Sequence, residues 1–332
     1  MQDKTSWFIR LNHPARPEVV GIGECGPLPG LSVDDVPDFE DRLSDLVARI
    51  NASGLDSLEA VDRLVPPRYP ALRFGLETAW RDLAHGGRRV IFDNDFIRGM
   101  CIPINGLIWM GDLDFMMEQI GQKIADGFRT IKIKVGGLDF QRECDVLDYI
   151  RRKYFRENIT LRLDANGAFT ADDVFHKLKE LSAFDIHSIE QPLKPGMEEM
   201  EEVCRKSPIP IAFDEELIGV HGAGMKALVE RLRPQYIVLK PTLHGGLGGA
   251  QEWIRLASAQ GIGWWMTSAL ESSVGLNAIC QFTAEFKPAI PQGLGTGTIY
   301  ENNISSPLTV AEGQIFHDPN KRWNALDDSV AG

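Results

Sequence analysis

The sequence predicts a parallel α/β barrel preceded by a smaller α+β module, and three observations predict it. From about residue 100 onward, short β-rich runs alternate with amphipathic stretches of helical length, the pattern of repeated βα units. Eight such runs occur, which favours a closed barrel over an open sheet. Polar residues close successive runs at a near-constant interval: Lys134, Asp164, Glu190, Asp214, Lys240 and Ser268, separated by 30, 26, 24, 26 and 28 positions.

Residues 1–100 form the first module. SWFIRL and EVVGIGECGP read as a β-hairpin, and VDDVPDFEDRLSDLVARINA and ALRFGLETAWRDLAHGG as helices. The barrel spans 101–300. Its strands are expected at CIPINGLI (101–108), TIKIKV (130–135), ITLRLD (159–164), HSIEQ (187–191), PIAFD (210–214), YIVLK (236–240) and GWWMTS (263–268), with a weaker eighth at PQGLGTG (291–297). DLDFMMEQIGQKIADG and TADDVFHKLKELSAF fill the helical intervals, and Leu113, Met116, Met117 and Ile120 are spaced as a buried helix face. Trp264 and Trp265 are neighbours on one strand, so one points into the barrel and the other toward the helices. HGGLGG (244–249) reads as a tight turn; it could hold an anion at a helix start, but without GK[ST] it is no Walker loop. His187 and His244 stand alone and read as hydrogen-bonded scaffold. Residues 301–332 are turn-rich, too short to stand alone, and expected to pack back on the first module.

With 332 residues, 43% of them hydrophobic, the chain can bury a large core. Its 47 acidic against 35 basic residues give a net charge of −12 with no basic run, a poor match to nucleic acid or an anionic membrane. No window approaches 18 uncharged apolar residues, and MQDKTSWFIR lacks the layout of a signal peptide. Cys25, Cys101, Cys144, Cys204 and Cys280 form no CxxC pair, which argues against a disulfide framework or a zinc knuckle. The expectation is a cytoplasmic protein whose partner is a small molecule. Assembly into a homo-oligomer is left open.

The chemistry concentrates at the strand ends, which meet at one mouth of a βα barrel. In TIKIKVGG (130–137), Lys132 and Lys134 alternate with Ile131, Ile133 and Val135, so both ammonium groups share one face. An exposed edge strand would also carry lysines, but the β-branched opposite face fits a central strand better. Asp164, Glu190 and Asp214 would repel one another unless compensated. Either they pair with Arg162, Lys132 and other bases, or they hold a cation. All-oxygen ligation suits Mg²⁺ first and Mn²⁺ second, and no histidine or cysteine at an equivalent strand end supports zinc. Lys134 and Lys240, on the second and sixth strands, would face each other across the mouth. Lys132 would help keep Lys134 deprotonated, or steady a substrate carboxylate. A metal with two lysines suggests abstraction of a proton next to a carboxylate, the metal stabilising the enediolate. Lysine bases working with Mg²⁺ are a known enzymatic pairing for such a step.

At these residues the chain resembles the enolase superfamily, in its muconate-lactonizing subgroup. IKIKV (131–135), LDANGAF (163–169), IEQPL (189–193), FDEEL (213–217), LKPTLHGGL (239–247) and TSALESSVGL (267–276) carry the resemblance, with ALRFGLETAWRDL (71–83) as the helix leading into the barrel. GECGPLPGLS (23–32), INGLIWMG (104–111) and GLGTGTIYENN (293–303) carry a closer match to a dehydratase branch of that subgroup. The resemblance implies a modified (β/α)7β TIM-type barrel with an α+β capping domain. It implies Mg²⁺ on Asp164, Glu190 and Asp214; of the acids 214–216, Asp214 ends the apolar run and is the expected ligand, with Glu215 behind it. The implied reaction is dehydration of 2-succinyl-6-hydroxy-2,4-cyclohexadiene-1-carboxylate. Lys134 would take the α-proton and then assist departure of hydroxide, while Lys240 stays charged against the enediolate and the forming ring. Ser268, Arg162 and Asn166 are candidate substrate contacts, and Leu28 with Pro29 would line the entrance.

In that family a further strand and a mobile loop usually precede the segment matching KTSWFIR. Here only Met1, Gln2 and Asp3 come before Lys4, so the expected capping domain lacks its first strand unless the chain is incomplete. Racemisation of an N-succinylamino acid would use the same two lysines. Dipeptide epimerisation is disfavoured, because GLGTGTI lacks the Asp-x-Asp pair that binds an amino group. Schiff-base chemistry at Lys240 and a non-catalytic binding homologue are the alternatives of other classes.

Overall fold

The computed structural model describes residues 3–154, 158–297 and 299–324. The first module opens with a hairpin, β1 (Trp7–His13) antiparallel to β2 (Arg16–Cys25), with Trp7 opposite Cys25. Three helices follow: α1 (Phe39–Ser53), α2 (Leu58–Leu64) and α3 (Pro70–Ala84). The Ser57 hydroxyl caps α2 by accepting from the Ala60 amide, and Pro70 starts α3 where a missing N–H costs nothing. Ile9, Phe39, Leu46, Val61, Leu72 and Leu76 form this module's core. Helix α3 lies directly on the β2 backbone. A Cβ on Gly23 would come within 1.9 Å of the Gly75 carbonyl oxygen, so the GIG of β2 is a requirement of that contact.

The chain then forms β3 (Ile102–Pro103), β4 (Gly106–Ile108), α4 (Leu113–Ala125), β5 (Thr130–Lys134), α5 (Phe140–Lys153), β6 (Thr160–Asp164), α6 (Val174–Leu181), β7 (Ile186–Glu190), α7 (Met200–Lys206), β8 (Ile211–Phe213), α8 (Ala223–Leu232), β9 (Tyr236–Leu239), α9 (Gly246–Gln260), β10 (Gly263–Met266) and α10 (Ser273–Ala284). Strands β4 to β10 make one parallel seven-stranded sheet in sequence order. The predicted eighth strand contracts to a two-residue bridge that joins the sheet's edges. Gln292 accepts from the Asn105 amide (2.9 Å) and donates its own amide to the Pro103 carbonyl (2.8 Å). Gly293 donates to Met266 (2.7 Å) and accepts from Ser268 (3.1 Å). Pro291 brings no amide hydrogen, and Gly293 and Gly295 bring no side chain to pack, so the ladder goes no further.

The predicted first barrel strand is split, because its halves have different partners. β4 pairs with β5, whereas β3 pairs with a terminal hairpin, β11 (Leu308–Ala311) and β12 (Gln314–His317). The C-terminal segment was expected on the first module. Among the described residues its strand partner is β3, at the start of the barrel, and β12 also contacts the turn Asp95–Arg98. Of the four residues expected to face inward on α4, Met116 and Ile120 are buried, while Leu113 at the helix start is exposed. Trp265 points into the barrel under the Arg162 guanidinium (4.1 Å), and Trp264 points outward, edge-on to Phe286 (5.5 Å). Among the described residues no helix is long and apolar enough to cross a membrane.

Two buried carboxylates fasten the modules together. Glu77 of α3 accepts from the Leu247 (2.6 Å) and Gly248 (3.2 Å) amides at the start of α9. The acceptor at HGGLGG is therefore one of the protein's own side chains, a carboxyl that burial pushes up to about 7 against the pull of Arg73 and these amides. Glu24 of β2 accepts from the Ser272 amide (2.9 Å), the Gly275 amide (2.9 Å) and the Ser272 hydroxyl (2.6 Å) at the start of α10. Helix N-termini favour such charge, and a bond to an ionised acceptor is worth more than a neutral one. Glu24→Ala is expected to destabilise the fold by about 3 kcal/mol, and Glu24→Gln by less, read from urea unfolding midpoints. Equal midpoints for wild type and both variants would contradict this cap.

Candidate active site

The parallel register sets the site. Lys134 lies opposite Asp164, and Asp164 opposite Glu190, so three charges from β5, β6 and β7 sit at one level of the barrel. Asp214 and Lys240 follow the last residues of β8 and β9 at the same end. Because side chains alternate, Ile131 and Ile133 go to the core beneath the helices while Lys132 and Lys134 turn inward.

A cavity of about 640 Å³ opens there. Lys132, Lys134, Asp164, Asp214 and Lys240 line its floor. Leu28 and Leu31 of the first module close one side. Lys132 donates to Glu190 and lies 2.9 Å from Asp164 Oδ2. Lys134 lies 3.2 Å from the same Asp164 oxygen and also donates to Asn166 Oδ1. Lys240 donates to Asp214 Oδ2 at 2.5 Å. Asn166 continues the chain by donating to Glu215 (2.8 Å).

Four carboxylates (Asp164, Glu190, Asp214 and Glu215) thus face three ammonium groups (Lys132, Lys134 and Lys240). Burial works against the charge of Lys132, but Asp164, Glu190 and Asp214 outweigh it and hold the lysine above its usual range. Burial also opposes the charge of Lys240, and Asp214 and Glu215 outweigh it to raise that lysine. Asp164 is held well below the carboxylate range, because Lys132 and Lys134 override its burial. Glu190 bears the effect of the crowded carboxylates: burial, then Asp164 and Asp214, push it up to about 7 against the pull of Lys132. Burial and Asp214 raise Glu215 as well.

Among the described residues, no group of three His, Cys, Asp or Glu side chains is spaced to enclose a cation, and each strand-end carboxylate is drawn onto a lysine. The donor chemistry nevertheless fits a hard divalent ion. Glu190 Oε1 and Asp214 Oδ1 are buried without a hydrogen-bond partner, and the cluster has one negative charge too many.

Most of the expected contacts meet at this cavity, including Ser268, Asn166 and Leu28, and Glu215 adjoins them. Ser268 Oγ accepts from the Leu270 amide (2.9 Å). Arg162 is the correction. It shares the inward face of β6 with Asp164 but sits a layer deeper, where it is 1% exposed, stacks on Trp265 and donates to the Pro291 carbonyl (2.8 Å). Arg162 therefore holds the barrel floor and does not line the cavity. The Lys132 ammonium contacts both Asp164 and Glu190.

Asn105 was missed. It lines the cavity at the break between β3 and β4 with its buried Oδ1 unpartnered. In sequence, Asn-Gly there looks like turn chemistry, and no signal marks it as inward-facing. The two histidines behave as scaffold. His187 Nδ1 meets Ser188 Oγ (2.9 Å), and His244 Nδ1 accepts from the Lys240 amide (3.0 Å).

A seven-stranded parallel barrel with a capping module and a lysine–carboxylate cluster at its strand ends defines the class. Residues 116–324 match the family described as enolase C-terminal domain-like, and the chain belongs to this enolase superfamily. More particularly, it is 43% identical to the o-succinylbenzoate synthase of Desulfotalea psychrophila (strain LSv54 / DSM 12343), over 95% of this chain and 92% of that protein. The crystal structure of MenC from Desulfotalea psychrophila LSv54 superposes with a TM-score of 0.84 at 42% identity, covering 94% of each chain. Muconate lactonizing enzyme from Pseudomonas putida shares the fold at 19% identity, with a TM-score of 0.82 over 99% of this chain and 94% of that one.

The His244 contact generates a prediction. Burial, then the Lys240 charge, hold this ring down at about 3, against 6.5 when exposed. The unfolded chain therefore binds the extra proton first as pH falls, and stability contributed above pH 6.5 is lost toward pH 3. Wild type should lose about 2 kcal/mol from this group between neutral pH and pH 5. His244→Asn should lose less over the same interval in urea unfolding at each pH, and parallel losses would remove the assignment.

Proposed function

We propose that this chain is an o-succinylbenzoate synthase. It would convert 2-succinyl-6-hydroxy-2,4-cyclohexadiene-1-carboxylate into o-succinylbenzoate through an enediolate formed by loss of the α-proton. The observation that carries this is Lys134 and Lys240, from β5 and β9, lining one cavity with Asp164 and Asp214 between them in strand order. The sequence likeness to o-succinylbenzoate synthases supports the choice among reactions that such a site can run.

Asp164, Glu190 and Asp214 would hold Mg²⁺, or Mn²⁺ in its place. When bound, the ion supplies positive charge against the substrate carboxylate as negative charge builds there. Lys134 is placed to remove the α-proton, and the proton it gains can then be given to the departing hydroxide. Its contacts with Asp164 and Asn166 keep the ammonium in the cavity for that second step. Lys240, paired with Asp214 and raised, stays charged and stabilises the anion electrostatically. Paired with Asp214 and raised in this way, Lys240 is also a poor Schiff-base nucleophile. Leu28 and Leu31 cover the cavity and help to exclude water. Ser268 and Asn105 offer hydrogen bonds to the substrate's oxygens.

The same pair of lysines supports a second reading, racemisation of an N-succinylamino acid, because one lysine could take the proton from one face of the carbon while the other, as ammonium, returns one to the opposite face. The test is turnover and deuterium exchange by metal-stripped protein with and without Mg²⁺, offering each substrate in D₂O. Mg²⁺-dependent aromatisation of the cyclohexadiene, reduced at least about 10²-fold in Lys134→Ala, is the expected result. Exchange confined to the N-succinylamino acid would move the assignment to racemase, and no reaction with either would remove both. Asp214→Asn and Glu190→Gln should each weaken Mg²⁺ binding in calorimetry while the protein stays folded by circular dichroism.

A further inference from the structure

Residue 191 follows Glu190 at the end of β7 and belongs to neither the cavity wall nor the charge cluster. Its side chain and main chain are nonetheless hydrogen-bonded on every side. The Gln191 side chain is fully buried. Its Oε1 accepts from the Asp214 amide (3.3 Å) and the Glu216 amide (3.1 Å), both on the loop after β8. Its Nε2 donates to Glu216 Oε2 (3.0 Å) and to the Leu193 carbonyl (3.0 Å). Glu216 is held in turn, since its other oxygen accepts from the Gly196 amide (3.1 Å).

The main chain of Gln191 makes two more links. Its amide donates to the Ala212 carbonyl of β8 (2.9 Å), and its carbonyl accepts from the Gly167 amide in the loop after β6 (2.7 Å). One residue is thereby bonded to the segments that carry Asp164, Glu190 and Asp214. Its φ of 38° lies in the left-handed region, which a residue with a β-carbon adopts only where the surroundings over-determine it. An ordinary core position has no need of that conformation. Here it lets Glu190 face into the barrel while the next side chain turns sideways beneath the β8 loop.

We infer that Gln191 is a positioning residue that sets the spacing of the three strand-end carboxylates and so tunes their affinity for a divalent cation. This rests on the metal reading above. Groups that orient ligands from behind change affinity by about 10- to 100-fold when removed. Glu216 serves Gln191 as an anchor and keeps its amide from rotating.

The experiment uses the full chain with Gln191→Leu and Gln191→Met, the second matching the length of glutamine without its hydrogen bonds. Mn²⁺ is the probe, with affinity read by electron paramagnetic resonance and Mg²⁺ by calorimetric competition. Urea unfolding of the metal-free proteins runs alongside. Ile254→Val, a buried truncation on α9 behind the barrel, controls for destabilisation alone. The expected result is Mn²⁺ affinity lowered about 10- to 100-fold in the Gln191 variants and unchanged in Ile254→Val. Gln191 variants that lose stability yet bind Mn²⁺ as wild type does would overturn the inference and leave a structural glutamine. Wild type that binds neither ion would overturn it together with the metal reading. Wild type that binds Mn²⁺ but leaves the cyclohexadiene unchanged would overturn the proposed reaction alone, and the affinity comparison would still decide the role of Gln191.

Discussion

Four carboxylates and three lysine ammonium groups share one enclosed space at the open end of a parallel barrel, and the surrounding structure is arranged to hold them there. Each buried charge would be costly alone; Asp164, Glu190 and Asp214 are each made tolerable by a lysine at hydrogen-bond distance, and Glu215 by the Asn166 side-chain amide. The balance is incomplete. Glu190, with carboxylates on both adjoining strands, is left near neutrality of titration, and one oxygen each of Glu190 and Asp214 has no partner. An acidic pocket with unsatisfied carboxylate oxygens suits a divalent cation, whose charge would offset the excess of carboxylates over ammonium groups. This is why the same cluster reads as both a structural tension and a catalytic centre.

The first module answers a different constraint. A barrel mouth that carries charge has to be shielded from water before a weakly acidic carbon proton can be removed. Leu28 and Leu31 supply cover, but a cover works only if it is held in place. Glu24 and Glu77 hold it by occupying the N-termini of α10 and α9, where aligned amides would otherwise be left open. Ser272, bound by Glu24, belongs to the same loop as Ser268 and Leu270, which line the cavity. The fastening of the cap and the shaping of the substrate wall are therefore mechanically linked.

Much of this was legible in the chain. The recurrence of a polar residue at each strand end is a direct consequence of βα spacing, and the structure brings Lys134, Asp164, Asp214, Lys240 and Ser268 to one cavity. Period-two alternation separated Lys132 and Lys134 from the isoleucines between them, and separated Trp265 from Trp264. The misreadings have separate causes. Arg162 has the parity of Asp164, and alternation names a face without naming a depth, so a residue of the barrel floor passed for a residue of the mouth. The C-terminal hairpin chose β3, because strand pairing is settled by which free edge lies nearby, and the sequence does not display free edges.

By itself the sequence determined the periodicities: which residues become strands, which face each side chain takes, and which charges arrive at the same end. These follow from backbone geometry, which acts locally and leaves its mark at fixed spacing. Only the tertiary structure decided what those charges meet. That Lys132 bridges Asp164 and Glu190, that Glu77 serves as the acceptor at a glycine-rich helix start 170 positions away, and that two residues suffice to close the barrel all depend on contacts between distant segments. Such contacts are selected by burial and by the need to pair every buried polar group, and those demands exist only once the chain is folded.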